Sequence, residues 1–448
     1  MLPQLHGRKG PKYKALAEAY ADMIDNGEIK AGTKLPSQRI LSYQLGVTVG
    51  TVTRAYQELS LLGKTLSVVG SGTYVKEAHS ADSYYHPLNS QQGIDLSLCR
   101  PLIVSQQQHL HNALQQMLGQ PQAQSAILDY FSADGLCGHS DTLRQWLNQR
   151  WHSKLTPERV QWTYGGQHGL SVILQALTRS GDTVLTEGLC YGEFIHSCAQ
   201  LERRLQPVAI DEQGLVAEDL LLQCQRHRPR LLYLTANVQN PTAVQLSAQR
   251  RLEIIDICRR FDVLIIEDGV MYCPPEQRQL PLASIAPDIT VYVGSFSKYF
   301  AGGVRVGYLV LPANLRVPLL KALRSTCMHV SPILIDLICR WLCSGAMEEV
   351  DNHIAMELRA RYRILTQHLE RPADHVIQGF NYWLTLPPQH QAEQVTKQLY
   401  ELGVRVRSGQ QFCVGGYGQA NAIRLSLTGP KTRDELRAGL EIVRSCVR

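Results

Sequence analysis

Residues 291–310, VYVGSFSKYFAGGVRVGYLV, are two β-prone runs separated by a loop carrying two serines, a lysine, a glycine pair and an arginine. Valine and tyrosine crowd both runs, as in buried strands, and Gly302-Gly303 interrupts the pattern between them. Lys298 therefore stands just past the end of a strand, where sheets covered by helices gather their binding residues. A serine three residues before a lysine is weak evidence alone, because most lysines near serines are solvated loop residues. The flanking segments carry the rest of the argument.

Working outward from Lys298, short apolar runs alternate with helical patterns: DTVLTE, RLLYLTA, DVLIIEDG, ITVYVGSFSK and RVGYLVL. That alternation predicts a parallel sheet covered by helices, an α/β layer fold. The polar residues again fall at strand ends. Asn240 precedes Pro241 in TANVQNPTAVQ, Asp268 closes the run DVLIIED, and Gly165-Gly166-Gln167 opens a helix in TYGGQHGL. NYWLTLP, EQVTKQLYELGVRVRSG and AIRLSLTG follow in β-α-β order and predict a small C-terminal subdomain.

Upstream, residues 1–76 read differently. Leu16, Ala19, Tyr20, Met23 and Ile24 recur at helical spacing before Gly27. Ser37 can cap a short second helix with Ile40, Leu41 and Leu45 on its inner side, and Gly46 ends it. Thr48 can cap a third, with Val52, Ala55, Tyr56, Leu59 and Leu62 inward before Gly63. Two helices joined through a tight glycine turn make a helix-turn-helix, and Thr65–Val69 with Thr73–Val75 predict a β-hairpin wing. This head holds ten basic and five acidic side chains, a net +5 of the chain's +6. An excess so placed suits a polyanion such as double-stranded DNA. Residues 77–92 have no apolar period and read as a linker, which leaves 93–448 as the body.

With 448 residues, 44% hydrophobic and 19% charged, the chain is expected to be a soluble multidomain protein. No apolar run reaches the roughly 20 residues a membrane span needs, and the N-terminus has no signal-peptide core, so a cytoplasmic location without membrane partners is expected. The twelve cysteines form no C-x-x-C pair. They read as reduced thiols without a metal role, Cys339 and Cys343 being core residues one helical turn apart.

The motifs LPSQR, VTVGTVTRAYQEL and GSGTYV resemble the winged helix-turn-helix of the GntR family over essentially all of residues 1–76. The resemblance implies that the third helix enters the major groove, where Thr48, Val49, Thr51 and Thr53 meet base edges or phosphates. Arg39 and Arg54 would neutralise phosphates, and Gly72 would let the wing approach the backbone. Val49 replaces an arginine found in many relatives, so the operator is not inferred from them.

The body, in the order and near spacing of its motifs, resembles fold-type-I aminotransferases, and the two halves together are similar to the MocR subfamily. That resemblance implies pyridoxal 5'-phosphate as cofactor or effector, attached through Lys298, which is also the catalytic candidate. Asp268 would pair with the ring nitrogen, Asn240 would donate to the phenolate oxygen and Tyr191 would stack on the ring. Gly166, Gln167, Ser295, Ser297 and Arg305 would cradle the phosphate, Arg305 also lowering the lysine pKa. Arg424 would clamp a substrate-like carboxylate, and Tyr130 would reach the partner subunit's site in a homodimer. Relatives place a tyrosine three residues after the aspartate, where this chain has Met271 followed by Tyr272; Ala243 replaces the glycine after Asn-Pro-Thr. The expectation is a DNA-binding regulator that senses the cofactor or an amino compound, in vitamin B6 or amino-acid metabolism. An active aminotransferase with a DNA tether is the alternative, and a body that only dimerises the heads is a third reading.

Overall fold

The computed structural model describes the chain except for residues 1–2, 4–9, 31, 62–63, 69–71, 76–92, 122–127, 129–137, 370–378, 416, 419 and 448. The linker and Tyr130 lie outside the described residues. Two compact units result, Met1–Ser90 and Gln91–Arg448.

In the first unit, α1 (Lys12–Asp25), α2 (Gln38–Leu45) and α3 (Val49–Leu61) precede an antiparallel pair, β1 (Thr65–Val68) and β2 (Gly72–Val75). The helix ends follow local chemistry. The Ser37 hydroxyl accepts from Ile40 N–H, Gly46 closes α2 in the left-handed region, and the Thr48 hydroxyl accepts from Thr51 N–H at 3.2 Å. Leu16, Tyr20, Leu41, Val52, Tyr56 and Leu59 pack as one core, each apolar side chain contributing about 1.5–3 kcal/mol by leaving water. Ile40 departs from expectation: it is 55% exposed, as is Tyr43 at 90%. An α-helix of eight residues has room for only a narrow buried stripe, and Leu41 occupies it.

The second unit is built on a seven-stranded sheet. In chain order its strands are β3 (Val160–Thr163), β4 (Thr183–Glu187), β5 (Arg204–Val208), β6 (Leu231–Leu234), β7 (Leu264–Asp268), β8 (Thr290–Ser295) and β9 (Gly307–Val310). Their spatial order is β3-β9-β8-β7-β6-β4-β5. The pairs β8-β7, β7-β6, β6-β4 and β4-β5 are parallel, while β9 runs antiparallel to both its neighbours. Alternate residues therefore face opposite layers. Leu231, Tyr233, Ile266, Val291 and Val293 pack with α4 (Gly165–Leu177) and α5 (Gly192–Gln200); Tyr292 and Tyr308 face the opposite side.

Asn381–Thr385, Arg407–Ser408 and Ala422–Ser426 form a separate three-stranded sheet, which carries Arg424 on its central strand. The sheet with helices on both faces and the small C-terminal sheet give the α/β architecture expected from the alternating runs, except that RVGYLVL, expected among the parallel strands, runs antiparallel. No helix among the described residues is long and apolar enough to cross a membrane.

Candidate functional site

Lys298 sits three residues beyond the end of β8, and its ammonium donates to the carbonyl of Cys99. Burial pushes its pKa below the usual lysine range, and the charges of Arg424 and then Arg305 lower it further, against an opposing contribution from Cys99. Arg305 was expected to help lower it, and does so behind burial and Arg424.

Asp268 ends β7 on the α4 side. Tyr233 on the neighbouring strand donates to its Oδ2 at 2.7 Å, and Val270 N–H donates to Oδ1 at 2.9 Å. Burial raises the Asp268 pKa, and these two donors oppose the rise. Tyr233 is itself stacked on Phe194, with centroids 3.8 Å apart. The aspartate is thus fixed from two directions by groups that favour its charged form.

At the other end of the site, Arg424 is buried, donating to Asn240 Oδ1 at 3.0 Å and to the carbonyl of Ser97. Asn240 Oδ1 also accepts from Asn381 Nδ2 at 3.4 Å. With its oxygen committed, Asn240 presents its amide N–H groups as donors. Arg424 Nε is buried without a hydrogen-bond partner among the described residues.

Glycine geometry shapes the third wall. Gly165 has φ +74°, and a Cβ there would come 3.2 Å from the Arg305 guanidinium. A Cβ on Gly166 would lie 2.5 Å from Val270 Cγ2. Arg305 donates to Ser297 Oγ at 3.3 Å, and Ser297 N–H donates to Ser295 Oγ at 3.1 Å. The first turn of α4, Ser297 and Arg305 therefore come together.

Two expected residues are differently engaged. The Gln167 side chain turns to α5, donating to Ser197 Oγ at 3.2 Å, and its buried Oε1 has no partner among the described residues. Tyr191 is half-buried immediately before α5.

The residues after Asp268 follow the turn beyond the strand. Met271 packs against Val238, Ala243 and Cys273. Tyr272 does not turn inward: it is buried, donates to Asp351 Oδ1 at 2.9 Å and stacks on Phe380. It is Val270, two residues after the aspartate, that reaches the glycine turn. The strand ends at Asp268, so its alternation gave no guide to which later residue faces inward.

In the head, Arg39 and Arg54 are exposed and Val49 is 44% exposed. Thr48 and Thr51 pair their hydroxyls at 2.9 Å, and Thr53 donates to Gln38 Oε1 at 2.8 Å. Gly72 has φ +128°, and Lys34 covers the side where a Cβ would stand. The exposure of Ile40 and Tyr43 was missed, because helical spacing alone did not distinguish an exposed residue from a core one.

A winged helix-turn-helix joined to an aminotransferase-type body with a half-buried lysine defines a class: a DNA-binding module fused to a vitamin B6 enzyme fold. The family model described as aminotransferase class I and II matches residues 92–442, and the one described as bacterial regulatory proteins, gntR family, matches residues 12–75. The chain belongs to the aminotransferase class I and II family and, with its gntR-type head, is a DNA-binding transcription regulator of the MocR type whose body takes pyridoxal 5'-phosphate. Among its relatives, the uncharacterized HTH-type transcriptional regulator YdeF of Bacillus subtilis is 27% identical over 99% of this chain and 96% of its own length. The HTH-type transcriptional regulator TauR of Rhodobacter capsulatus is also 27% identical, over 94% and 93%. The crystal structure of LysN, the alpha-aminoadipate aminotransferase of Thermus thermophilus, superposes with a TM-score of 0.72 at 22% identity, covering 79% of this chain and 92% of LysN.

Proposed function

We propose that Lys298 is the attachment point of pyridoxal 5'-phosphate and that its occupancy, or an amino compound held by Arg424, changes how a homodimer of this chain binds DNA. The observation that carries this reading is the half-buried, pKa-lowered Lys298 beside the charges of Arg424 and Arg305.

The residues suit the cofactor. Gly166 has no room for a side chain beside Val270, as expected of a turn whose backbone must be approached closely, and Arg305 stands next to Gly165. Arg424 Nε is a buried donor with no protein partner among the described residues. When bound, the cofactor supplies an aldehyde for an amine and a cationic ring that withdraws electrons.

The protein's part follows from the geometry. Lys298 must give up its proton to react as an amine, and burial beside two guanidinium groups favours that. Asp268, whose charged form Tyr233 and Val270 N–H favour against burial, would keep a proton on the ring nitrogen. Ser297, Arg305 and the first turn of α4 would hold the phosphate. Asn240 would donate to the ring's oxygen, and Tyr191 would cover one ring face. Gln167 would contribute its backbone N–H, its side chain being committed to α5.

Val270 and Met271 leave no tyrosine hydroxyl beside the ring at the positions following Asp268, a change in proton handling that favours sensing over turnover. The retention of Lys298, Asp268 and Arg424 together favours the second reading, an active aminotransferase, which predicts repeated turnover with an amino donor and a 2-oxo acid. The biological setting proposed is vitamin B6 or amino-acid metabolism.

Absorbance spectra of wild type and Lys298→Ala with added cofactor test the attachment. A protein-dependent visible band in wild type and none in the variant is expected. No band in either would overturn the proposal.

A further inference from the structure

On the opposite face of the sheet from Asp268 and Tyr233 lies a cavity of about 380 Å³, within the range of small-molecule sites. Lys298, Asn240 and Arg424 stand outside its walls; Asp268 and Ser295 border it from the strand ends. Both Asp268 oxygens are directed elsewhere, to Tyr233 and Val270. The cavity is therefore back to back with the cofactor cradle, not part of it.

Its walls are unlike an ordinary core void. Trp146, Trp151, Tyr292, Phe296 and Tyr308 supply flat apolar surface, and two arginines, Arg150 and Arg278, enter the same space. Empty core voids are apolar throughout, and guanidinium groups are placed in a partly buried site only where partners repay their desolvation.

Arg278 has such partners. It donates to both oxygens of Asp351 at 2.7 Å and to the Cys273 carbonyl. Arg150 is served less well. One Nη bonds the Tyr299 hydroxyl and stands 3.6 Å from Asp351 Oδ2, a carboxylate already held at both oxygens by Arg278. The guanidinium lies over the rings of Trp146 and Tyr299, at 4.9 and 4.8 Å. Two guanidiniums thus share the Asp351 carboxylate inside an aromatic box, and Arg150 has the weaker hold on it.

We propose that this cavity binds a flat aromatic molecule bearing one carboxylate, its acid group on Arg150 and its ring against Trp146 and Tyr292. The rings supply apolar area and stacking faces, and the guanidinium gives a bidentate, planar partner for the acid. The occupant would stand beside Tyr299, which follows Lys298 in the chain, and behind Asp268, so the site adds a second ligand input next to the cofactor cradle. The inference does not depend on what Lys298 binds.

The test is isothermal titration of the full-length, cofactor-supplemented protein with 2-naphthoate and with its neutral amide. Saturable binding of the acid is expected, with the amide about tenfold weaker or worse, as for loss of one charge-assisted pair. Arg150→Gln should weaken the acid by at least about tenfold. Leu280→Glu should do the same without touching the core, because Leu280 is 46% exposed and borders the cavity. Arg424→Gln should leave the affinity unchanged. No saturable binding up to about 1 mM, or binding lost in Arg424→Gln and kept in Arg150→Gln and Leu280→Glu, overturns the proposal.

Discussion

Replacing Tyr233 by phenylalanine removes one oxygen and nothing else, and its consequence can be worked from the site. The ring's stacking on Phe194 is kept, while Asp268 loses the donor 2.7 Å from Oδ2 and retains only Val270 N–H. A hydrogen bond to a charged group is worth about 1.5–3 kcal/mol, which at about 1.4 kcal/mol per pH unit corresponds to one to two units. The direction follows from burial, which already lifts the Asp268 pKa while Tyr233 holds it down. Cofactor affinity needs the ionised carboxylate opposite the ring nitrogen, so affinity falls as pH drops through the pKa of Asp268 in the free protein. Removing Tyr233's hydroxyl moves that acid limb to higher pH by about one unit or more. At a pH on the limb, affinity falls about tenfold or more; well above it, little changes. The assay is an absorbance titration of wild type and Tyr233→Phe with pyridoxal 5'-phosphate from mildly acidic to mildly basic pH. The ligand's own ionisation is common to both proteins and cancels in the comparison. An acid limb that stays in place or moves to lower pH, in a variant whose melting curve shows it folded, would refute the reasoning.

Other expectations concern single contacts. Gly166→Ala places a Cβ 2.5 Å from Val270 Cγ2; overpacking of this kind costs about 1–3 kcal/mol, and adding Val270→Ala should restore most of the loss in denaturant unfolding. No recovery would place the conflict elsewhere. Ala243 has φ +62°, a conformation costing a side-chain-bearing residue about 1–2 kcal/mol, of which glycine's greater chain entropy offsets about 0.5–1 kcal/mol. Ala243→Gly should thus stabilise by up to about 1 kcal/mol, and a clear loss of stability would show that the methyl's packing near Met271 outweighs the strain. In the head, Arg39→Ala and Arg54→Ala should each lower the slope of log affinity against log salt by about one; unchanged slopes would remove these residues from the phosphate contacts.

What could be read from the sequence had local causes. Ser37, Gly46 and Thr48 mark helix ends through side-chain caps and a left-handed glycine, interactions spanning three or four residues. Lys298, Asp268 and Asn240 were legible because an α/β sheet places its polar groups just past strand ends, and apolar runs announce those ends. Where the strand stops, so does the guide: the inward position after Asp268 belongs to Val270 because of the turn's path, which no periodicity encodes. Long-range partners were equally hidden. The acceptor of Lys298 is Cys99, 199 residues away, and the partner of Tyr272 is Asp351, 79 away. Gln167 was read by its place in a glycine-rich turn, yet its side chain follows Ser197 on the next helix. Ile40 was assigned inward on apolarity alone, although in so short a helix Leu41 suffices for the core.

The most direct test of the central claim joins the two units. A fluorescent duplex, selected from a random pool by the full-length chain, is titrated at one fixed salt concentration with wild type and with Lys298→Ala, each with and without pyridoxal 5'-phosphate. The account predicts that the cofactor shifts the wild-type binding curve and leaves the variant's curve where it was. Superimposable wild-type curves, or an equal shift in Lys298→Ala, would contradict it.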